Sequence, residues 1–165
     1  MKAALLIIDV QKRFFGDNPA RDAELISAFR YINTAIDLFR KKNLPVVCIQ
    51  HTNPEDNLVP GQPGFDVPEI LRILPEDLHI HKTYSNSFTK TGLAETLRKL
   101  GVDTVVVTGF AAEGCVLNTA RGALDCDFTS MILRSSIISG RPGVASLVES
   151  ISDTISYNVL EKVLE

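Results

Sequence analysis

Strand-length apolar runs, set apart by long stretches of mixed polarity, limit most tightly what this chain can fold into. Residues 3–8 are continuously apolar, and residues 46–49, 104–107 and 128–133 are runs of the same kind. Such runs suit strands buried on both faces of a parallel sheet, which has no wet face to alternate with. Between them, apolar residues recur at helical spacing. Leu25, Phe29, Ile32, Ile36 and Phe39 follow steps of four, three, four and three, which predicts a helix over about residues 22–42 with one buried stripe. Leu93, Leu97 and Leu100 predict a helix ending at Gly101, and Val144, Leu147, Val148 and Ile151 one starting at Pro142. Asn158, with Glu161 three residues on, reads as the cap of a last helix through Leu164.

Residues 78–81 alternate apolar and polar, as an edge strand does, and residues 154–157 supply an opposite edge. The resulting order is strand, helix, strand, helix, repeated, around a six-stranded parallel sheet. Right-handed crossovers then put helices on both faces, giving an α/β fold of the doubly wound, three-layer α/β/α sandwich type. A chain of 165 residues holds one well-buried core, so residues 1–165 are expected to form a single domain. The Pro- and Gly-rich segment 52–64 is long for a loop in such a domain, and suits a surface excursion, a subunit contact or, favoured here, a lid.

The 17 Lys and Arg residues are scattered through a chain of net charge -3, so no phosphate-tracking stripe exists and no nucleic-acid partner is expected. The apolar start is short and stops at Asp9, unlike a signal peptide, so the expected location is cytoplasmic, away from membranes. Three cysteines without a C-x-x-C pair and three histidines without an H-x-x-x-H pair argue against a disulfide framework and a metal centre. No cofactor is expected.

In open parallel sheets, ligands bind beyond the carboxyl ends of the strands, so polar residues that close apolar runs are the candidates. Asp9 closes 3–8, Lys82 closes 78–81, and Cys115 follows 104–107 at a turn into a helix carrying Val116, Ala120 and Leu124. Singly, each has a plain alternative: a helix cap, a solvated lysine, a small core thiol. Together they supply a base, a positive charge and a nucleophile. A thiol at a helix start faces the positive end of the helix dipole, which favours thiolate, and the free N–H groups there hold an oxyanion. In the scheme these residues allow, Asp9 takes the thiol proton, Lys82 stabilises the charges, and Cys115 attacks a carbonyl carbon to form an acyl-enzyme that water releases. Cys48 within a strand and Cys126 near a helix end read as structural.

These residues also lie in recognisable motifs. Leu6-Ile7-Ile8-Asp9-Val10-Gln11-Lys12-Arg13-Phe14 resembles the opening motif of the isochorismatase-like hydrolases. Lys82 through Phe88, continuing to Thr91 and Leu93, resembles their lysine motif. Thr108-Gly109 through Cys115-Val116, with Thr119, Ala120 and Ala123, resembles their cysteine motif. The resemblance runs from about Ala3 to the C-terminus. It implies a sheet of order 3-2-1-4-5-6, a homodimer or homotetramer, and Asp9, Lys82 and Cys115 as a catalytic triad. It also implies a cis Phe110-Ala111 bond and an oxyanion hole from the amides of Ala111 and Cys115.

The chain departs from the family pattern in places. Ala112 stands where threonine is frequent, removing a hydroxyl that amidases of the family use. After the second strand, nicotinamidases place an aspartate and histidines for a metal, whereas this chain reads Gln50-His51-Thr52-Asn53-Pro54. Isochorismatases proper cleave a vinyl ether by acid chemistry and commonly lack the cysteine that this chain keeps. The expected reaction is therefore hydrolysis of a small amide, ureido or carbamoyl substrate through Cys115. The alternatives are vinyl ether hydrolysis, with Asp9 as the acid, and a catalytically silent member that binds a metabolite or protein partner. Gln11, Phe14, Phe15, His51, Phe88 and Ala112 are candidate substrate contacts, with Phe110 beside them.

Overall fold

The computed structural model describes residues 1–16 and 19–164. At its centre is strand β1 (Ala3–Ile8), every residue of which is buried. It is followed by α1 (Pro19–Lys41), β2 (Val46–His51), β3 (Leu78–Lys82), α2 (Leu93–Lys99), β4 (Thr104–Phe110), α3 (Leu117–Asp125), β5 (Thr129–Ile138), α4 (Val144–Ser150), β6 (Thr154–Ile155) and α5 (Tyr157–Val163). The sheet has the order β3-β2-β1-β4-β5-β6, and every pair of neighbours is parallel.

Alternation along β1 divides the core in two. Ala3, Leu5 and Ile7 face a cluster containing Phe29, Ile32, Ile36 and Phe39 of α1 and Leu160 of α5. Ala4, Leu6 and Ile8 face Leu93 and Leu97 of α2, Ala120 and Ala123 of α3 and Val148 of α4. Each large aliphatic side chain buried in this way stabilises the fold by about 1.5–3 kcal/mol, so a strand apolar on both faces is stable only between two helical layers. The order reverses at β1 and β4, and the crevice beyond their carboxyl ends is the place where a fold of this kind receives a ligand.

Several boundaries differ from the sequence pattern. No α-helix joins β2 to β3: between them stand a 3-10 turn, Pro54–Asp56, and one antiparallel bridge between Asn53 and Leu58. Pro54, Pro60, Pro63, Pro68 and Pro75 lack the N–H that a helix interior requires, so this segment packs irregularly, through buried Leu58, Phe65 and Leu71. Asn158 is not a cap; α5 already begins at Tyr157, with Ser156 before it. α4 begins at Val144 rather than Pro142, after Gly143 takes a φ of 78°. Among the described residues, no helix is long and apolar enough to cross a membrane.

Candidate active site

Asp9, Lys82 and Cys115 arrive at the crevice by three routes. Asp9 follows the last residue of β1, and its φ of 51° turns the chain out of the strand direction, a left-handed conformation that aspartate tolerates better than most residues. Its N–H still donates to Ile49 O (2.8 Å), which ties the turn to β2. Lys82 ends β3, in register with His51 at the end of β2. Cys115 lies in a π-helical turn, Ala112–Val116, between β4 and α3.

That turn follows a tight passage at Gly109. Its φ is 115°, and a Cβ there would stand 2.1 Å from Ile8 O, so only glycine lets β4 lie this close to β1. The next peptide bond, Phe110-Ala111, is cis. The Ala111 carbonyl then accepts from the N–H groups of Gly114 (3.0 Å) and Val116 (3.2 Å), bonds that bracket Cys115.

The chain after Lys82 is clasped to the helix after Cys115. Both the N–H (3.0 Å) and the hydroxyl (2.8 Å) of buried Ser87 pair with the Thr119 hydroxyl. Gly122 of α3 lies against Asn86, where a Cβ would meet the amide at 2.2–2.5 Å. Lysine and thiol therefore hold their relative positions through packing as well as through their own contact.

The functional atoms converge on one ammonium. Lys82 Nζ, on a side chain that is 0% exposed, donates to Asp9 Oδ2 at 2.7 Å and to Cys115 Sγ at 3.3 Å, and lies 3.3 Å from His51 Nδ1. A buried lysine is stable only when paired, and the ion pair with Asp9 supplies that. Asp9 Oδ1 is buried and has no hydrogen-bond partner among the described residues.

One expectation is corrected by this environment. Burial first, then the Asp9 charge, pushes the Cys115 thiol up to about 11, although Lys82 pulls the other way. A helix start was expected to favour thiolate, but the loss of water around the sulfur and a carboxylate beside it dominate. Cys48, buried in β2, is pushed up to about 12 by burial, as a core thiol should be. His51 is held below its ordinary value by burial and by Lys82, against the pull of Asp9 and Asp56.

The other candidates separate. His51 belongs to the cluster. Phe14 is half-buried and packs on Phe110, with ring centroids 5.2 Å apart. Phe15 turns instead to Phe29 of α1 (5.5 Å), and Phe88 packs on Phe128 (5.7 Å) in the core. Ala112 is fully buried in that same core.

Gln11 is fully buried and occupied. Its amide donates to the carbonyls of His51 (3.1 Å) and Phe65 (3.2 Å) and accepts from the His51 N–H (2.8 Å). Sequence alone overlooks Gln50, which also donates to Phe65 O (2.9 Å) and so fastens the β2–β3 connection to the strand ends. The available signal was a second glutamine at the end of an apolar run.

A family model for the isochorismatase domain matches residues 3–142. The chain belongs to the isochorismatase family. An uncharacterized isochorismatase family protein of Bacillus subtilis, YrdC, is 34% identical over 134 residues, covering 80% of this chain and 71% of that protein. Nicotinamidase 3 of Arabidopsis thaliana is 31% identical over 137 residues, covering 73% of this chain and 65% of that protein. The crystal structure of N-carbamoylsarcosine amidase from Thermoplasma acidophilum superposes with a TM-score of 0.80 at 25% identity, over 94% of this chain and 95% of that one. Amidohydrolases are thus among this family member's relatives.

A metal of the nicotinamidase kind does not fit these residues. Where nicotinamidases place an aspartate and histidines, the end of β2 and the residues after it read Gln50-His51-Thr52-Asn53-Pro54, and the Gln50 amide is taken up by Phe65 O. One ligand atom each from Asp9, His51 and Cys115 do lie within 4.8 Å of one another. The Lys82 ammonium contacts all three side chains, however, so the positive charge they would share is already provided by the protein.

Proposed function

We propose that this isochorismatase family member is a cytoplasmic cysteine amidohydrolase that cleaves a small amide, ureido or carbamoyl compound, with Asp9, Lys82 and Cys115 as its catalytic residues. The observation that carries this reading is the buried ammonium of Lys82, shared between the Asp9 carboxylate and the Cys115 sulfur. With a thiol pKa of about 11, the nucleophile rests as S–H at neutral pH. The proton must leave during attack, and Asp9, which has a carboxylate oxygen within 4.8 Å of the sulfur and an unpartnered Oδ1, is the base that receives it.

As Sγ bonds to the carbonyl carbon, charge moves onto the carbonyl oxygen, where the N–H groups of Ala111 and Cys115 stabilise it. Asp9 returns the proton to the departing amine as the C–N bond breaks. Water, deprotonated by the same carboxylate, then cleaves the thioester, and its proton restores the thiol. Lys82 stays protonated and stabilises each anion as it forms. A thiol held against the Lys82 ammonium weighs against vinyl ether hydrolysis by acid, a reaction that needs no sulfur nucleophile.

The test is intact mass and product analysis after incubation with a panel of small carboxamides, ureides and carbamoyl compounds, comparing the native chain with Cys115→Ala. Turnover or an acyl adduct in the native chain alone is expected. Equal turnover by both would overturn covalent catalysis in favour of Asp9 acid chemistry, and silence in both would favour a binding role. For a compound that is turned over, Asp9→Asn and Lys82→Met should each lower kcat/KM by about 10²–10⁴-fold.

A further inference from the structure

An ammonium has three N–H bonds and no lone pair, so a buried lysine requires three acceptors. Lys82 finds two in Asp9 Oδ2 and Cys115 Sγ, at 2.7 and 3.3 Å. The third polar atom in reach is His51 Nδ1, at 3.3 Å. A ring nitrogen accepts only when it carries no proton, so this contact requires neutral His51 with its hydrogen on Nε2.

The backbone of His51 is fixed by a separate device. Gln11, itself without exposure, accepts from the His51 N–H and donates to the His51 carbonyl, pairing with both main-chain polar groups of the residue. The ionisable groups around the ring come from four places: Lys82 of β3, Asp9 after β1, Cys115 in the π-helical turn and Asp56 in the 3-10 turn after β2. Burial and Lys82 favour the neutral ring, and this balance agrees with the acceptor role.

We propose that His51 is a positioning residue: its unprotonated Nδ1 takes the third N–H of Lys82 and keeps the ammonium between Asp9 and Cys115, while Gln11 holds the His51 backbone in place. This deepens the reading of the site as a cysteine hydrolase. Without the third acceptor the ammonium is drawn toward the carboxylate or toward water and away from the sulfur. Thiolate then loses its counter-charge, and Cys115 becomes harder to ionise. The amide oxygen of asparagine can stand where Nδ1 stands, so His51→Asn keeps an acceptor while removing the titration, whereas His51→Ala removes both.

Two measurements on the full chain test this without a substrate. Long-range ¹H–¹⁵N correlation should show His51 with bare Nδ1 and protonated Nε2 near neutral pH, and the preference should weaken in Lys82→Met. Alkylation of Cys115 by iodoacetamide, followed by peptide mass at about pH 8, should be about tenfold slower in His51→Ala, one unit in the thiol's pKa, with His51→Asn restoring most of the native rate. Circular dichroism establishes that both variants are folded. Protonated Nδ1, or equal rates for the Ala and Asn variants, would overturn the proposal. Because neither readout depends on turnover, its failure is distinguishable from failure of the hydrolase reading, which rests on Cys115→Ala and the substrate panel.

Discussion

Burial and the Asp9 charge raise the Cys115 pKa to about 11. Iodoacetamide labelling of that residue should therefore accelerate by about tenfold per pH unit between neutrality and about pH 10; a plateau from pH 7 upward would mean that the thiolate already exists in the resting protein. The same shifts act on stability. With folded values of about 11 for Cys115 and about 12 for Cys48, the folded state retains protons that the unfolded chain releases above about pH 9. Their contribution is full below that point and disappears as pH rises through the folded values. His51 works from the acid side: its lowered pKa means that the unfolded chain binds the proton first, so stability falls as pH drops from about 6.5 through the folded value. Thermal melts across both limbs should show these losses, with the acid loss reduced in His51→Asn. At this scale Asp9 was legible as the polar residue closing an apolar run, Lys82 as the close of an alternating edge segment, and Cys115 as a thiol at the turn from a strand into a helix. Gln11 and Phe88 were not: their partners, His51 and Phe128, lie far along the chain, and no local pattern records that one amide is occupied and one ring is core.

Among the elements, the β1–β4 pair controls whether the site forms. Gly109 is pressed against Ile8, and a methyl group there would collide with backbone, which unlike a side chain cannot swing aside. Gly109→Ala should destabilise the protein by about 3 kcal/mol, from steric overlap and a left-handed φ together, measurable by urea unfolding. An unchanged midpoint would mean that the two strands separate at little cost. The strands themselves were largely legible: β1 matches its apolar run at both ends, and β3 and β6 occupy the edges. The far end of β5 was not legible. Arg134, Ser135 and Ser136 interrupt its apolar run, yet the strand continues to Ile138, because Ser135 takes a φ of 65° and the register against β4 shifts between Val107 and Gly109. A bulge admits polar residues without ending the pairing. The missing helix between β2 and β3 is the complementary case, since tertiary anchors at Phe65 replace local periodicity there.

At the scale of the whole molecule, of the homodimer or homotetramer that the family resemblance implies we propose the homodimer, and α3 and α4 offer it a surface. Leu124, Leu147 and Ile151 are 53%, 58% and 58% exposed, and Leu124 and Ile151 line a groove of about 430 Å³ together with Leu117 and Ala120. Arg121 and Asp153 border the groove with opposite charges, so a twofold axis that sets the Arg121 of one copy against the Asp153 of the other would pair them. Light scattering after size exclusion should give twice the chain mass, and Leu147→Asp together with Ile151→Asp should shift the protein toward monomer, since a dimer would bury those new charges unpaired. A native monomer would refute the assembly, and a variant that stays dimeric would place the contact on another face. Asp9, His51, Lys82 and Cys115 all come from one chain and are held by contacts within it. The monomeric variant should therefore keep the native pH dependence of Cys115 alkylation. If dissociation instead moved that profile, the neighbouring copy would have to contribute to the electrostatics of the thiol.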